Sequence, residues 1–141
     1  MSSSKPTQTI LVVDDDKEVL SLAADVLEMA GYKVLSTTDP RHGLHLARMH
    51  PEPLHLLLTD VVMPFLSGPD LAAKVRSLRP GIKVLFMSAF TSGAMEDNGI
   101  RIAPGESLLV KPFTVPGLSN KVQALLNYQS PFSRPDRREA R

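Results

Sequence analysis

The 141-residue sequence predicts an α/β domain whose five-stranded parallel sheet is doubly wound, in the flavodoxin-like strand order 2-1-3-4-5. Five short apolar runs alternate with segments of helical periodicity. The runs are nearly unbroken, which is typical of parallel strands covered by helices on both faces. The length and a hydrophobic content of 43% fit one domain with a substantial core.

The five predicted strands are rich in Leu, Val and Ile. The second also contains polar residues, which predicts an exposed side. The strands are expected at residues 10–13, 32–37, 54–59, 84–87 and 108–110.

Start and stop signals delimit the first two helices. Gly31 ends the first helix, and Asp39 with Pro40 opens the second as an N-cap and a first-turn proline. The second helix is expected to extend to about Met49. The first covers residues 17–30 and has an apolar stripe formed by Leu20, Ala23, Ala24, Leu27 and Ala30.

Three further helices are expected. The third covers residues 68–78, and the last begins near Thr114. Between them, glycines and prolines leave room for about two turns near residues 93–98, which predicts a short or irregular fourth helix. The expected buried faces are Leu71, Val75 and Leu78 in the third helix, and Leu118, Val122, Leu125 and Leu126 in the last.

Charge argues against nucleic-acid binding. Residues 130–141 hold four Arg, one Asp and one Glu, and the rest of the chain holds 12 basic and 13 acidic side chains. Such a balanced body lacks the basic stripe of a nucleic-acid-binding domain. The absence of cysteine excludes disulfides, and no apolar run approaches the roughly 18 residues of a membrane span. We therefore expect a cytoplasmic protein without nucleic-acid or membrane partners.

These observations predict one domain over residues 8–129. Residues 1–7 have no apolar stretch and are expected to form a flexible N-terminus. Residues 130–141 are rich in Ser, Pro and Arg, which predicts a disordered basic tail.

Carboxylates follow two strands that this topology places side by side. Asp14, Asp15 and Asp16 follow the first strand, and Asp60 follows the third. Ligands of a doubly wound sheet bind outside the carboxyl ends of its strands, where strand order reverses. Converging carboxylates repel one another unless a cation lies between them, and Mg²⁺ favours oxygen ligands of this kind. A carboxylate is also a nucleophile that can form an aspartyl phosphate.

Two further polar residues follow the neighbouring strands. Ser88 follows the fourth strand and Lys111 the fifth, so a hydroxyl and an ammonium are available to a phosphoryl oxygen. Phosphoryl transfer depends mainly on positioning and charge neutralisation. These two groups and a metal form a sufficient set for that chemistry.

Short motifs stand at or just after the predicted strand ends: Asp14-Asp15, Thr59-Asp60 with Met63-Pro64 and Gly68, Met87-Ser88-Ala89, and Lys111-Pro112-Phe113. In order and spacing, these motifs resemble those of response-regulator receiver domains, over roughly residues 8–128. The resemblance implies that Asp60 is the phosphoacceptor, Ser88 the switch hydroxyl and Lys111 the phosphate partner. It implies a cis Lys111-Pro112 bond. It also implies a Mg²⁺ site formed by the side chains of Asp15 and Asp60, the backbone carbonyl of Val62, and Asp14 through water.

The resemblance further implies that a histidine kinase or a histidine phosphotransfer protein donates the phosphoryl group. The signal then leaves through contacts with a downstream protein, which the sequence does not identify, or between two copies in a homodimer. Such a module is not an enzyme beyond its own phosphorylation and dephosphorylation. The sequence also resembles receivers of hybrid histidine kinases and stand-alone single-domain response regulators.

Departures from the family pattern concern the output. Leu108 stands where receivers often have an aromatic switch residue. Val62 and Phe90 stand where family members flank the approach of water to the phosphoryl group, and two apolar residues there predict slow self-dephosphorylation.

Two other functions remain open. One is a pseudo-receiver scaffold that does not use phosphorylation. The other is a small Mg²⁺-dependent phosphohydrolase similar to haloacid dehalogenases, which Asp14 and Asp16 fit. Its residue order is wrong, however, because Asp60 precedes Ser88 and no acidic pair follows Lys111.

Several residues have structural interpretations. Asp16 is expected to act mainly as a helix cap. His42 and His45 are expected at the surface rather than at a metal, since no carboxylate or cysteine stands at ligand spacing. His50 and His55 are expected to be solvated. The expected packing residues around the site are Met63, Phe65 and Phe113.

Overall fold

The computed structural model describes residues 7–89, 99–100 and 102–127, which form a parallel five-stranded sheet and four helices. The strands are β1 Thr9–Val13, β2 Lys33–Thr37, β3 Leu56–Asp60, β4 Lys83–Ser88 and β5 Ser107–Val110. The helices are α1 Lys17–Met29, α2 Pro40–Met49, α3 Gly68–Leu78 and α4 Val115–Asn127. The strand order is β2-β1-β3-β4-β5, which confirms the predicted topology.

Most element bounds agree closely with the sequence prediction. The strand β3 begins two residues later than expected and includes Asp60, whereas β4 is one residue longer at each end. The predicted short helix at residues 93–98 lies outside the described residues, as do Phe90, the tail at 130–141 and residues 1–6. No helix in the described part of the chain is long and apolar enough to cross a membrane.

Side-chain caps begin the first three helices. Asp16 accepts hydrogen bonds from the backbone N–H groups of Glu18 and Val19 at 2.9 and 3.3 Å, as expected for an N-cap of α1. Asp39 caps α2 and precedes its first-turn proline, as predicted. Ser67 caps α3 in the same way. These caps set the direction in which each helix leaves the carboxyl edge of the sheet.

The core has two apolar layers, one on each face of the sheet. Alternate residues of β1 contribute to opposite layers, so that Leu11 packs beneath α2 and α3 whereas Ile10 packs beneath α1 and α4. All residues of β1 and β3 are buried because helices cover both faces. The sheet therefore forms a rigid base, and its polar strand ends carry the candidate chemistry.

Two predicted core positions are corrected. Leu78 is 39% exposed, because it is the last residue of α3 and lies at the rim of a groove between α2 and α3. Ala30 is exposed because it follows the last turn of α1 as its C-cap. Leu118 and Val122 are buried as expected, and the remaining two positions of the α4 stripe are half-buried.

The edge opposite the candidate site contains polar contacts that the sequence did not predict. The Arg79 guanidinium donates hydrogen bonds to the carbonyls of Ala47, Glu52 and His50 at 2.9, 2.9 and 2.5 Å. It thereby satisfies backbone groups at the C-terminal end of α2. The expectation of ordinary solvation for His55 was wrong, because its Nδ1 accepts a hydrogen bond from the Thr9 N–H at 2.9 Å. It was also wrong for His50, whose Nε2 is buried without a hydrogen bond to the described residues.

Candidate functional site

Three carboxylates meet at the carboxyl edge of the sheet. β1 and β3 are neighbours in a register that pairs Val13 with Thr59, so their next residues, Asp14 and Asp60, emerge side by side. Asp14, Asp15 and Asp60 each present an oxygen within 4.8 Å of the others. Asp14 is fully buried, Asp60 is 9% exposed, and Asp15 is open to solvent. The structure thus brings together the carboxylates that the sequence singled out.

Lys111 brings an ammonium group to the same place. Its Nζ lies 2.8 Å from Asp14 Oδ2 and 3.4 Å from Asp60 Oδ1, and its side chain is only 15% exposed. The backbone fixes this position, since the Lys111 N–H donates to the Ser88 carbonyl at 2.8 Å, just beyond the β4–β5 pairing. The Lys111-Pro112 bond is cis, as predicted.

Ser88 lies at the same edge, one strand further along. It is the last residue of β4, is 1% exposed, and follows Met87, which pairs with Asp60. Val62, two residues beyond Asp60, is 40% exposed. Leu108 is half-buried and packs on the α2–α3 side of the sheet. Asp60, Ser88 and Lys111 therefore lie at the carboxyl ends of three neighbouring strands, on one edge of the sheet.

The electrostatics of the site are unbalanced. Burial raises the pKa of Asp60 to about 6, and the charge of Asp14 adds to this effect. Lys111 and the N–H of Val61 act in the opposite direction. Burial alone would lower the pKa of Lys111, but its two carboxylate neighbours outweigh that and raise it. The Lys111 ammonium is therefore protonated at neutral pH, but its single positive charge does not balance the three carboxylates.

The oxygens of Asp14 provide a test of whether the site fits a metal ion. Oδ1 accepts a hydrogen bond from the Asp16 N–H at 2.9 Å. Oδ2 is buried, and its partner is the Lys111 ammonium at 2.8 Å, which also lies 3.4 Å from Asp60 Oδ1. One ammonium is thus shared by two buried carboxylates, and Asp15 brings a third carboxylate oxygen within 4.8 Å of the others. A hard cation with oxygen ligands would offset the remaining negative charge, so the residues fit Mg²⁺.

The loop after Asp60 returns closely onto the site, and Gly68 makes this possible. The Gly68 N–H donates to the Val61 carbonyl at 2.8 Å. A Cβ at Gly68 would overlap the Asp60 carbonyl oxygen and lie 3.0 Å from Val61 Cα. The Val61 N–H also donates to Asp60 Oδ1 at 3.0 Å, which orients the carboxylate. Gly68 is required here for close approach rather than for an unusual backbone angle.

One contact near this loop was not predicted from the sequence. Phe65 was expected to pack around the site, but its side chain is 74% exposed and its φ is +74°. The Arg41 guanidinium lies 3.8 Å from the centroid of the Phe65 ring. No local pattern joins the two residues, because they lie in different βα units.

The remaining predictions for side chains are simpler. His42 and His45 are exposed, with ring centroids 6.1 Å apart, as expected for a surface pair. Among the residues that the structure describes, the three-carboxylate cluster is the one group of three or more His, Asp or Glu residues arranged to hold a metal. Met63 is buried and Phe113 half-buried, in agreement with packing roles.

Comparisons with known proteins give a consistent family. The sequence profile described as "Response regulator receiver domain" matches residues 10–123. The receiver protein CpdR of Brucella abortus is 32% identical over 118 residues, which are 83% of this chain and 95% of that protein. The uncharacterized transcriptional regulatory protein YrkP of Bacillus subtilis is 32% identical over 117 residues, which are 83% of this chain but 48% of YrkP.

Solved structures show the same fold. The receiver domain of the hybrid histidine kinase CckA superposes with a TM-score of 0.72 at 31% sequence identity. The match covers 84% of this chain and 99% of that domain.

Proposed function

The chain belongs to the response regulator receiver domain family of two-component signalling, and we propose that it accepts a phosphoryl group on Asp60 in a Mg²⁺-dependent reaction. One observation carries this proposal. Asp14, Asp15, Asp60 and the Lys111 ammonium converge at one edge of the sheet, where a single cationic group faces three carboxylates. Such a site favours a divalent cation and, beside it, an anionic phosphoryl group.

Asp60 is the proposed nucleophile. One of its carboxylate oxygens attacks phosphorus as the bond from phosphorus to the donor nitrogen breaks, and the electron pair of that bond leaves with the imidazole. A proton on the other ring nitrogen of the donor lets the histidine leave as neutral imidazole, and the second product is the aspartyl phosphate. The hydrogen bond from the Val61 N–H to Asp60 Oδ1 orients the carboxylate for this attack.

The other residues hold and neutralise charge. Asp15, Asp60 and the Val62 carbonyl are the proposed Mg²⁺ ligands, with Asp14 acting through water. The ion, when bound, neutralises charge on the phosphoryl oxygens during transfer. Lys111 already lies against two carboxylates and is the proposed partner of the transferred group. Ser88 is the proposed hydroxyl donor on the far side, at the end of β4.

The proposed donor is a phosphohistidine of a histidine kinase or a histidine phosphotransfer protein. Similarity to a receiver domain of a hybrid histidine kinase supports this choice. We place the reaction in the cytoplasm, because the phosphoryl group of such donors comes from ATP. The proposed output is a change in protein contacts, with a downstream protein or with a second copy of the chain.

One feature weighs against the phosphohydrolase alternative. Such an enzyme would use Asp16 together with Asp14, but the Asp16 carboxylate accepts hydrogen bonds from two backbone N–H groups of α1. Its Oδ1 therefore caps the helix, and Asp16 is not one of the three carboxylates that converge. The scaffold alternative predicts that the wild type takes up no phosphoryl group, so a labelling experiment distinguishes it from the proposed function.

The test is mass spectrometry of the intact protein after incubation with Mg²⁺ and acetyl phosphate. We expect one phosphoryl increment in the wild type, none in Asp60→Asn, and none when EDTA replaces Mg²⁺. Asp16→Asn is the matched control, since it removes a neighbouring carboxylate that caps a helix, and it should still be labelled. Labelling of Asp60→Asn would disprove the acceptor assignment. A wild type that is labelled neither by small donors nor by a phosphohistidine protein would support the scaffold.

A further inference from the structure

Phe65 adopts a conformation that core packing does not explain. It lies in the loop of residues 61–67 between β3 and α3, hereafter the β3–α3 loop. Its φ of +74° is in the left-handed region, which side chains with a Cβ seldom adopt and which is least favourable for bulky ones. Its ring is 74% exposed, so burial offers no compensation. Within the loop, the Leu66 N–H donates to the Pro64 carbonyl at 2.8 Å, and this bond spans Phe65. The exposed ring is left to contact residues outside the core and outside the loop.

Arg41 supplies that contact. Its Cζ lies 3.8 Å from the Phe65 ring centroid, the geometry of a cation–π interaction. Asp39 fixes the guanidinium by a two-point ion pair, with Nε to Oδ1 at 3.1 Å and one terminal nitrogen to Oδ2 at 3.0 Å. Asp39 is also the N-cap of α2 and accepts the Arg41 N–H at 2.8 Å. The cation is thus fixed to the start of a helix before it meets the ring.

This contact joins two segments that both lead to the carboxylate cluster. On one side, the Asp39 N–H donates to Thr37 Oγ1 at 3.2 Å, and the Thr37 carbonyl accepts the Asp14 N–H at 3.3 Å. On the other side, the β3–α3 loop starts at Val61, whose N–H donates to Asp60 Oδ1. The contact between Arg41 and Phe65 therefore connects the segment that holds Asp14 with the loop that follows Asp60.

We propose that Arg41 and Phe65 are positioning residues of the Mg²⁺ site. Their contact holds the β3–α3 loop, which contains Val62, against the start of α2, and so fixes the place of the proposed Val62 ligand relative to Asp15 and Asp60. This inference rests on the proposed function, because the Val62 carbonyl has this role only if the site takes Mg²⁺. Residues that orient ligands without touching the metal commonly change its affinity strongly when they are replaced.

Whether replacing Arg41 weakens or strengthens Mg²⁺ binding distinguishes a positioning role from a purely electrostatic one. Arg41 is a cation, so on Coulombic grounds its removal would strengthen the binding of Mg²⁺. Positioning predicts the reverse. We expect Arg41→Gln to raise the dissociation constant for Mg²⁺ about tenfold, measured by isothermal titration calorimetry on the full chain. The matched control is Arg48→Gln, which removes the same charge from an exposed residue in the last turn of α2 and should leave the constant unchanged.

Substitutions of the ring complete the series. Phe65→Gly removes the ring while tolerating the left-handed backbone, so it should fold and weaken Mg²⁺ binding to the same extent as Arg41→Gln. Phe65→Tyr keeps the ring and should bind like the wild type. Because both residues act through one contact, the double variant should bind no more weakly than the weaker single variant.

Hydrogen exchange supplies a measurement that does not depend on the metal. In the metal-free protein, Arg41→Gln should speed amide exchange at Val62, Phe65 and Leu66, and Arg48→Gln should not. Unchanged or tighter Mg²⁺ binding by a folded Arg41→Gln would overturn the inference, even if exchange were faster. A wild type that binds no Mg²⁺ would overturn both the proposed function and this inference. A wild type that binds Mg²⁺, with Arg41→Gln binding it equally well, would overturn this inference alone.

Discussion

Replacing Asp60 with Asn should stabilise the metal-free protein at pH 7. Burial raises the pKa of Asp60 from 3.8 to about 6, so ionisation of this carboxyl opposes folding. A shift of about two pKa units corresponds to at most about 3 kcal/mol. Asp60 lies at the open edge of the sheet and keeps some contact with water, so we expect a gain of about 1–2 kcal/mol in the free energy of unfolding. Asn has nearly the same shape and can still accept the Val61 hydrogen bond.

The pH dependence of the free energy of unfolding tests whether ionisation of Asp60 opposes folding. A carboxyl whose pKa is raised on folding binds its proton more tightly in the folded state, so stability falls as pH rises through the window from about 4 to about 6. Below this window Asp60 is protonated in both states, and the wild type and Asp60→Asn should differ little. Above it the full difference should appear. Urea unfolding followed by circular dichroism, in EDTA and across this range, measures the difference directly.

Two controls sharpen this experiment. Asp25→Asn removes an exposed carboxylate from α1 and should change stability by less than about 0.5 kcal/mol at every pH. Saturation with Mg²⁺ should reverse the order, because binding at a hundred times the dissociation constant adds about 2.7 kcal/mol to the wild type and less to Asp60→Asn. An Asn variant less stable than the wild type in EDTA at pH 7 would refute the reasoning. A difference that is the same at pH 4 and pH 7 would refute it too.

Three further substitutions test the site and its frame. Gly68→Ala should lower the free energy of unfolding by about 1–3 kcal/mol, measured in urea, because its Cβ overlaps the Asp60 carbonyl oxygen. Arg79→Ala should lower it by about 2 kcal/mol in the same assay, since three backbone carbonyls lose a charged donor. Lys111→Met should tighten Mg²⁺ binding in calorimetry, because a cation is removed, yet slow the uptake of phosphoryl groups from acetyl phosphate by at least about a hundredfold. Faster or unchanged uptake would contradict its role as phosphate partner.

The fold was predictable because its signals are local. Asp39 with Pro40 fixed the start of α2, and apolar periodicity gave the limits of α3 correctly. The start of β3 was placed two residues early because Leu54 continues the apolar run. Leu54 is indeed buried, at 6% exposure, but it lies outside the ladder of strand hydrogen bonds. Periodicity reports burial, and burial extends beyond the residues that pair in a sheet.

The carboxylate cluster was predictable for a different reason. Parallel strands end at a common edge, so Asp14, Asp60 and Lys111 could be placed together from topology alone. Arg41 and Phe65 could not, because one lies at the start of a helix and the other in a loop. Their contact depends on how α2 packs against the sheet and on the left-handed backbone at Phe65. No local sequence pattern predicts either feature.

The charges at the sheet edge explain why a metal should precede phosphorylation. With all groups ionised, Asp14, Asp15 and Asp60 outweigh Lys111 and leave a formal charge of −2. The raised pKa of Asp60 is consistent with this unfavourable balance, since the Asp14 charge contributes to it alongside burial. An anionic phosphoryl donor approaching such a site is repelled, and a divalent cation removes the formal charge. We therefore expect the metal to act on the approach of the donor as well as on transfer, so lowering Mg²⁺ should reduce labelling even at high donor concentration.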